Sequence, residues 1–100
     1  MDSILQKKKE CLLCHTTVLL EEHHIYPGPR RRLSEEYGLK VWLCHEHHTG
    51  IAGVHFNKAF MQELKEWAQE VFTAEYGDEL FFQRFGKNYL KGDIDGETYD

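Results

Sequence analysis

Two pairs of metal-ligand residues, Cys11-x-x-Cys14 and Cys44-x-x-His47, stand 29 residues apart in a chain of 100 residues. Two intervening residues let a tight turn aim both side chains of a pair at one ion, and four such ligands suit tetrahedral zinc. The gap between the pairs is long enough for a hairpin and its loop to return. Three cysteines, an odd number, weigh against a disulfide framework and favour metal binding. A chain this short makes one small domain with a thin margin against chain entropy. Zinc binding worth about 10–16 kcal/mol in small zinc domains matches the whole stability of an ordinary domain. The residue after Cys14 is His15, where such turns often place glycine for its freedom at positive φ. His15 and His45 stand beside His47 as substitute fourth ligands.

A hydrophobic share of 41% with 13% aromatics fits a globular chain rather than a disordered one. Uncharged runs are too short to span a bilayer, so no membrane partner is expected. The opening MDSILQKKKE lacks an apolar stretch followed by a small-residue cleavage site. A cytoplasmic location, with reduced thiols, is the expectation. The net charge of −5 weighs against an extended nucleic-acid surface. Charge is uneven, however: Lys7–Lys9 and Arg30–Arg32 form two basic runs, either of which can contact phosphates locally.

The chain reads as α+β: two strands joined by a turn-rich loop, then helices. Residues 2–9 read as a short helix or a frayed end. Thr16–Leu20 is β-branched and apolar, suiting a strand or its approach, and His23–Tyr26 continues extended. Pro27-Gly28-Pro29 is turn chemistry, placing Arg30, Arg31 and Arg32 on a loop. Ser34 is expected to cap a single helical turn that Gly38 ends. Leu39–Cys44 reads as the second strand. Asn57 caps the longest helix, over residues 58–76. Its apolar stripe is Phe60, Leu64, Trp67 and Val71, flanked by Met61, Ala68 and Phe72; Lys65 and Gln69 lie on the polar face. Gly77 stops it, Asp78 caps a further helix through Phe85, and Gly86 ends that one. A single domain over residues 1–90 is followed by an acidic tail, 91–100, expected to be flexible. The tail's faint likeness to a calcium loop fails on ligand positions.

His23, His24, His48 and His55 remain once zinc has its four ligands. Adjacent strand residues point to opposite faces, so His23 and His24 can divide two tasks, one holding a metal and the other facing water. His48 directly follows His47 at the expected start of a helix, which the zinc pins near the hairpin.

EEHHIYP, a basic loop and then WLCHEHH resemble the HNH nuclease motif of the ββα-metal class, and specifically its small phage and prophage members. The resemblance covers about Cys11 to Asn57. It implies a zinc-stapled, treble-clef-like hairpin–helix core with additional C-terminal helices. It implies His24 as general base and His23 and His48 as ligands of a catalytic metal (Mg2+, Mn2+, Ni2+ or Zn2+), beside structural Zn2+ on Cys11, Cys14, Cys44 and His47. The family's middle residue, commonly Asn, falls where this chain has Gly38, Leu39 and Lys40. His55 and Asn57 are the nearby polar candidates, with His55 completing the metal site. Arg30, Arg31 and Arg32 would grip DNA phosphates. A phage origin would place the protein in a bacterial cytoplasm.

Neutral imidazole accepts a proton from water near neutral pH, and a divalent cation offsets charge on a phosphate. The expected function is therefore metal-dependent hydrolysis of DNA phosphodiesters. The alternative is a zinc-stapled module that binds nucleic acid or protein without catalysis.

Overall fold

The computed structural model describes residues 1–50 and 53–91; the expectations for the tail beyond Lys91 lie outside them. The architecture is mixed α and β. Strand β1 (Leu20–His24) pairs antiparallel with β2 (Lys40–Cys44), and helix α1 (Arg31–Tyr37) lies between them in sequence. A four-residue helix, α2 (His45–His48), follows β2 without a break. The long helix α3 (Lys58–Tyr76) and then α4 (Asp78–Phe85) complete it. Short 3-10 turns cover Gly28–Arg30, Val54–Phe56 and Tyr89–Lys91.

The pairing register sets the rest. Leu20 faces Cys44, Glu22 faces Trp42 and His24 faces Lys40 on one side of the hairpin. Glu21 and His23 alternate to the other side, opposite Leu43 and Val41. The first strand is therefore later than Thr16–Leu20: Val18 and Leu19 form a bend, and Leu19 takes a positive φ of 54°. Residues 2–9 form no helix; they run beside β2, where the Trp42 amide donates to Gln6 Oε1 at 2.8 Å.

Helix α1 is longer than the single turn expected. Ser34 lies inside it instead of capping it. Its buried hydroxyl accepts from the Tyr26 amide (2.9 Å) and donates to the Tyr26 carbonyl (3.0 Å), sewing α1 to the end of β1. Gly38 does end the helix, in the left-handed region at φ 69°, where a residue without Cβ is favoured.

Asn57 caps α3 as expected, accepting from the Phe60 amide at 3.0 Å. The buried stripe of α3 is rotated from expectation, to Leu64, Lys65, Ala68, Gln69 and Phe72. Phe60, Trp67 and Val71 are only half-buried. Lys65 and Gln69 leave the polar face because the chain after α4 supplies partners. Gln69 Oε1 accepts from the Tyr89 amide (2.8 Å), and its Nε2 donates to Asn88 Oδ1 (3.0 Å). Lys65 runs its stem inward, with Nζ 5.6 Å from the Tyr89 ring centre. Gly77 ends α3 and is also the N-cap of α4, so Asp78 is the first helical residue and not the cap.

Tyr26, Phe72, Phe81, Phe85 and Tyr89 form the aromatic centre of the core. Phe81 and Phe85 stack at 4.4 Å, and Tyr26 packs on Phe85 and Tyr89 at 5.0 and 4.9 Å. Tyr26 satisfies its buried hydroxyl by donating to the Lys65 carbonyl at 2.6 Å. The hairpin is thus anchored from beneath by α3 and α4, and its outer end and α2 are left to carry polar chemistry. No described helix is long and apolar enough to cross a membrane.

Candidate metal centre

Cys11, Cys14, Cys44 and His47 converge, their ligand atoms all lying within 4.8 Å of one another. Local backbone geometry makes this possible. The Cys11–Thr16 turn closes through His15 N to Cys11 O (2.9 Å) and Cys11 N to Thr16 O (2.8 Å). His15 takes the positive φ expected of glycine there, 65°. Cys44 ends β2, and α2 then turns His47 back onto it.

Cys14 Sγ and Cys44 Sγ are 3.8 Å apart. His47 Nδ1 lies 3.2 Å from Cys44 Sγ and 3.6 Å from Cys11 Sγ. A tetrahedral ion with sulfur at ~2.3 Å sets ligand atoms roughly 3.5–3.8 Å apart, so the donor set can hold a metal ion such as zinc. The Cys11 thiol falls to about 6: burial pushes it up, but backbone donors at Cys44, Cys14 and Leu13 and the His47 ring outweigh that. This favours the thiolate that a metal needs. The substitutes for His47 point elsewhere. His15 Nδ1 meets Glu10, and His45 Nδ1 meets Glu21.

A second group lies on the other side of the hairpin. Ligand atoms of His23, His48 and His55 also lie within 4.8 Å of one another. His48 Nε2 and His55 Nε2 approach to 3.0 Å, and the His23 ring centre is 5.2 Å from each of the other two. Burial is graded: His23 is 2% exposed, His48 is half-buried and His55 is exposed. Burial, then the neighbouring charges of His48 and His55, hold His23 down to about 3, so its imidazole is neutral and able to ligate. Three imidazole ligands suit zinc or nickel better than magnesium.

Gly53 brings His55 into this group. A Cβ there would meet the His48 carbonyl oxygen at 2.5 Å and its carbon at 2.7 Å. Only a residue without a side chain lets the chain pass so close to α2.

His24 has different surroundings. Its ring is 7% exposed, where sequence reasoning expected it to face water. Nε2 lies 2.9 Å from Glu35 Oε1, and Nδ1 is buried with no hydrogen-bond partner among the described residues. The strand's alternation sends it away from the His23 side and toward α1. Glu22, His24 and Glu35 offer a third set of ligand atoms, but the Lys40 ammonium already bridges the carboxylates, at 3.1 Å from Glu22 and 2.9 Å from Glu35. His24, followed by Lys40, holds the Glu35 carboxyl down to about 2. An open hollow of about 540 Å³ beside it is lined by His24, Arg31, Arg32, Glu35 and Glu36.

The basic run is not a loop. Arg31 and Arg32 open α1 and are exposed. Arg30 donates through Nε to the Phe85 carbonyl at 2.9 Å, tying the turn to α4. Of the two candidates for the middle role, His55 joins the histidine trio, while Asn57 is committed to capping α3.

Sequence reasoning missed Glu21, Glu35 and Lys40. Glu21 had a usable signal, since it lies two residues before His23 and so on the same strand face. Glu35 and Lys40 had none before α1 was placed. Comparison with protein-family models, curated proteins and solved structures finds no match.

Proposed function

We propose that this chain is an HNH-type endonuclease of the ββα-metal class, hydrolysing DNA phosphodiesters on a zinc-stapled, treble-clef-like core. The observation that carries the proposal is the convergence of His23, His48 and His55 nitrogens within 4.8 Å. The sulfur site lies one residue away along α2. In this reading Cys11, Cys14, Cys44 and His47 hold structural zinc, and His23, His48 and His55 hold the catalytic divalent ion. That ion supplies charge neutralisation at the scissile phosphate.

His24 acts as general base. Because Nδ1 is buried, the proton must be taken at Nε2, and Glu35 must give up that atom to the attacking water. Glu35 is half-exposed, so its side chain has room to withdraw into the hollow beside it. Arg31 and Arg32 line that hollow and supply the positive charge to draw a phosphate there.

One observation favours the second reading, a zinc-stapled binding module without catalysis: the base sits buried against a carboxylate and not in open water. Plasmid nicking assayed with added magnesium, manganese, nickel and zinc decides between them. Nicking that depends on the added ion and is lost in His23→Ala supports the nuclease. One bound zinc per chain, with no nicking in any of the four ions, supports the binding module.

A further inference from the structure

We propose that Glu21 is the positioning carboxylate of the histidine trio, fixing the ring orientation and tautomer of His48. This rests on the reading of the trio as a cation site and adds to it a residue from outside the trio. On β1, Glu21 and His23 point to the same side of the hairpin. On α2, His45 and His48 stand three residues apart, the spacing that puts two side chains on one helical face. One carboxylate therefore serves both rings: Glu21 Oε1 lies 2.7 Å from His48 Nδ1, and Oε2 lies 2.9 Å from His45 Nδ1.

An ionised carboxylate only accepts hydrogen bonds. His48 Nδ1 must carry the proton, and in the neutral ring Nε2 is left with its lone pair. That lone pair faces His55 Nε2, 3.0 Å away, on the side where the trio converges. This is the carboxylate–histidine arrangement that orients metal ligands and raises their basicity. A carboxylate merely pinning α2 to β1 could use either nitrogen of the His48 ring. It would have no reason to take the ring nitrogen opposite the one aimed at the trio.

The test is a calorimetric titration of Ni2+ into protein whose sulfur site is already filled with zinc, with circular dichroism to check the fold. Wild type should take up one further equivalent. Glu21→Ala should weaken that uptake by about 10–100-fold, and Glu21→Gln, which keeps an acceptor without its charge, by less. His45→Ala leaves the Glu21–His48 contact intact and should leave nickel affinity unchanged. Nitrogen-15 chemical shifts of the metal-free wild-type rings should show His48 protonated on Nδ1, a readout that needs no variant to fold. Undiminished nickel affinity in Glu21→Ala, or His48 protonated on Nε2, overturns the role of Glu21 and leaves the trio intact. A wild-type protein that takes up no nickel overturns the cation site and the role of Glu21 together. None of these outcomes depends on DNA cleavage.

Discussion

The two ligand clusters that share α2 are built from different materials. The Cys11–Cys14–Cys44–His47 group is sulfur-rich and draws on a turn, a strand end and α2, so that it ties together segments far apart in sequence. The His23–His48–His55 group is all imidazole, grades from buried to exposed, and has a carboxylate behind one of its ligands. Soft thiolates and a closed tetrahedral shell belong to metals that hold a fold. Imidazole nitrogens with one side toward solvent suit an ion that must meet an incoming group. Under the proposed function, donor chemistry and exposure, and not ligand count alone, separate a staple from a reactive centre.

The largest expected effect breaks the staple. Cys44→Ala removes a ligand at the junction of β2 and α2, and it should release the metal and abolish the folded circular-dichroism signal, because binding and folding are one equilibrium in such domains. A metal-free Cys44→Ala protein with wild-type helicity would erase the distinction drawn above. The next effect is confined to chemistry. His24→Ala should retain the fold and both metals while DNA nicking falls by roughly 10²–10⁴, the usual worth of a positioned base. Nicking by that variant at the wild-type rate would sink the assignment of His24. The smallest effect concerns the approach of DNA. Arg31→Ala with Arg32→Ala should weaken binding across all sequences and reduce the salt slope by about 2, one for each lost phosphate contact. An unchanged slope in a filter-binding or fluorescence titration would move the DNA away from α1.

The Cys11–Cys14–Cys44–His47 cluster was legible because its information is local. Each pair needs only a tight turn, and the positive φ at His15 follows from the same turn. Asn57 and Gly38 were legible for the same reason, since a cap depends on neighbours a few residues away. What failed depended on distant partners. Ser34 reads as a helix cap until Tyr26 is seen to claim its hydroxyl. Lys65 and Gln69 read as surface until Tyr89 and Asn88 arrive from beyond α4. His24 followed the correct strand alternation but met Glu35 on a helix that was expected only as a single turn after Ser34 and that starts at Arg31. The histidine trio lies between these cases. His23 and His48 were placed by spacing and by the resemblance, whereas the return of His55 required the close passage at Gly53.

His47 and His48 are neighbours on a single four-residue turn, one facing each cluster. A turn that short has no internal joint, so whatever holds one ring in place restricts the other. If both clusters take cations, as proposed, thermodynamic reciprocity requires that whatever one cation does to the affinity of the other site be returned by the same factor. On that reading, a nickel titration of the imidazole side with and without zinc on the sulfur side reads the shared factor directly.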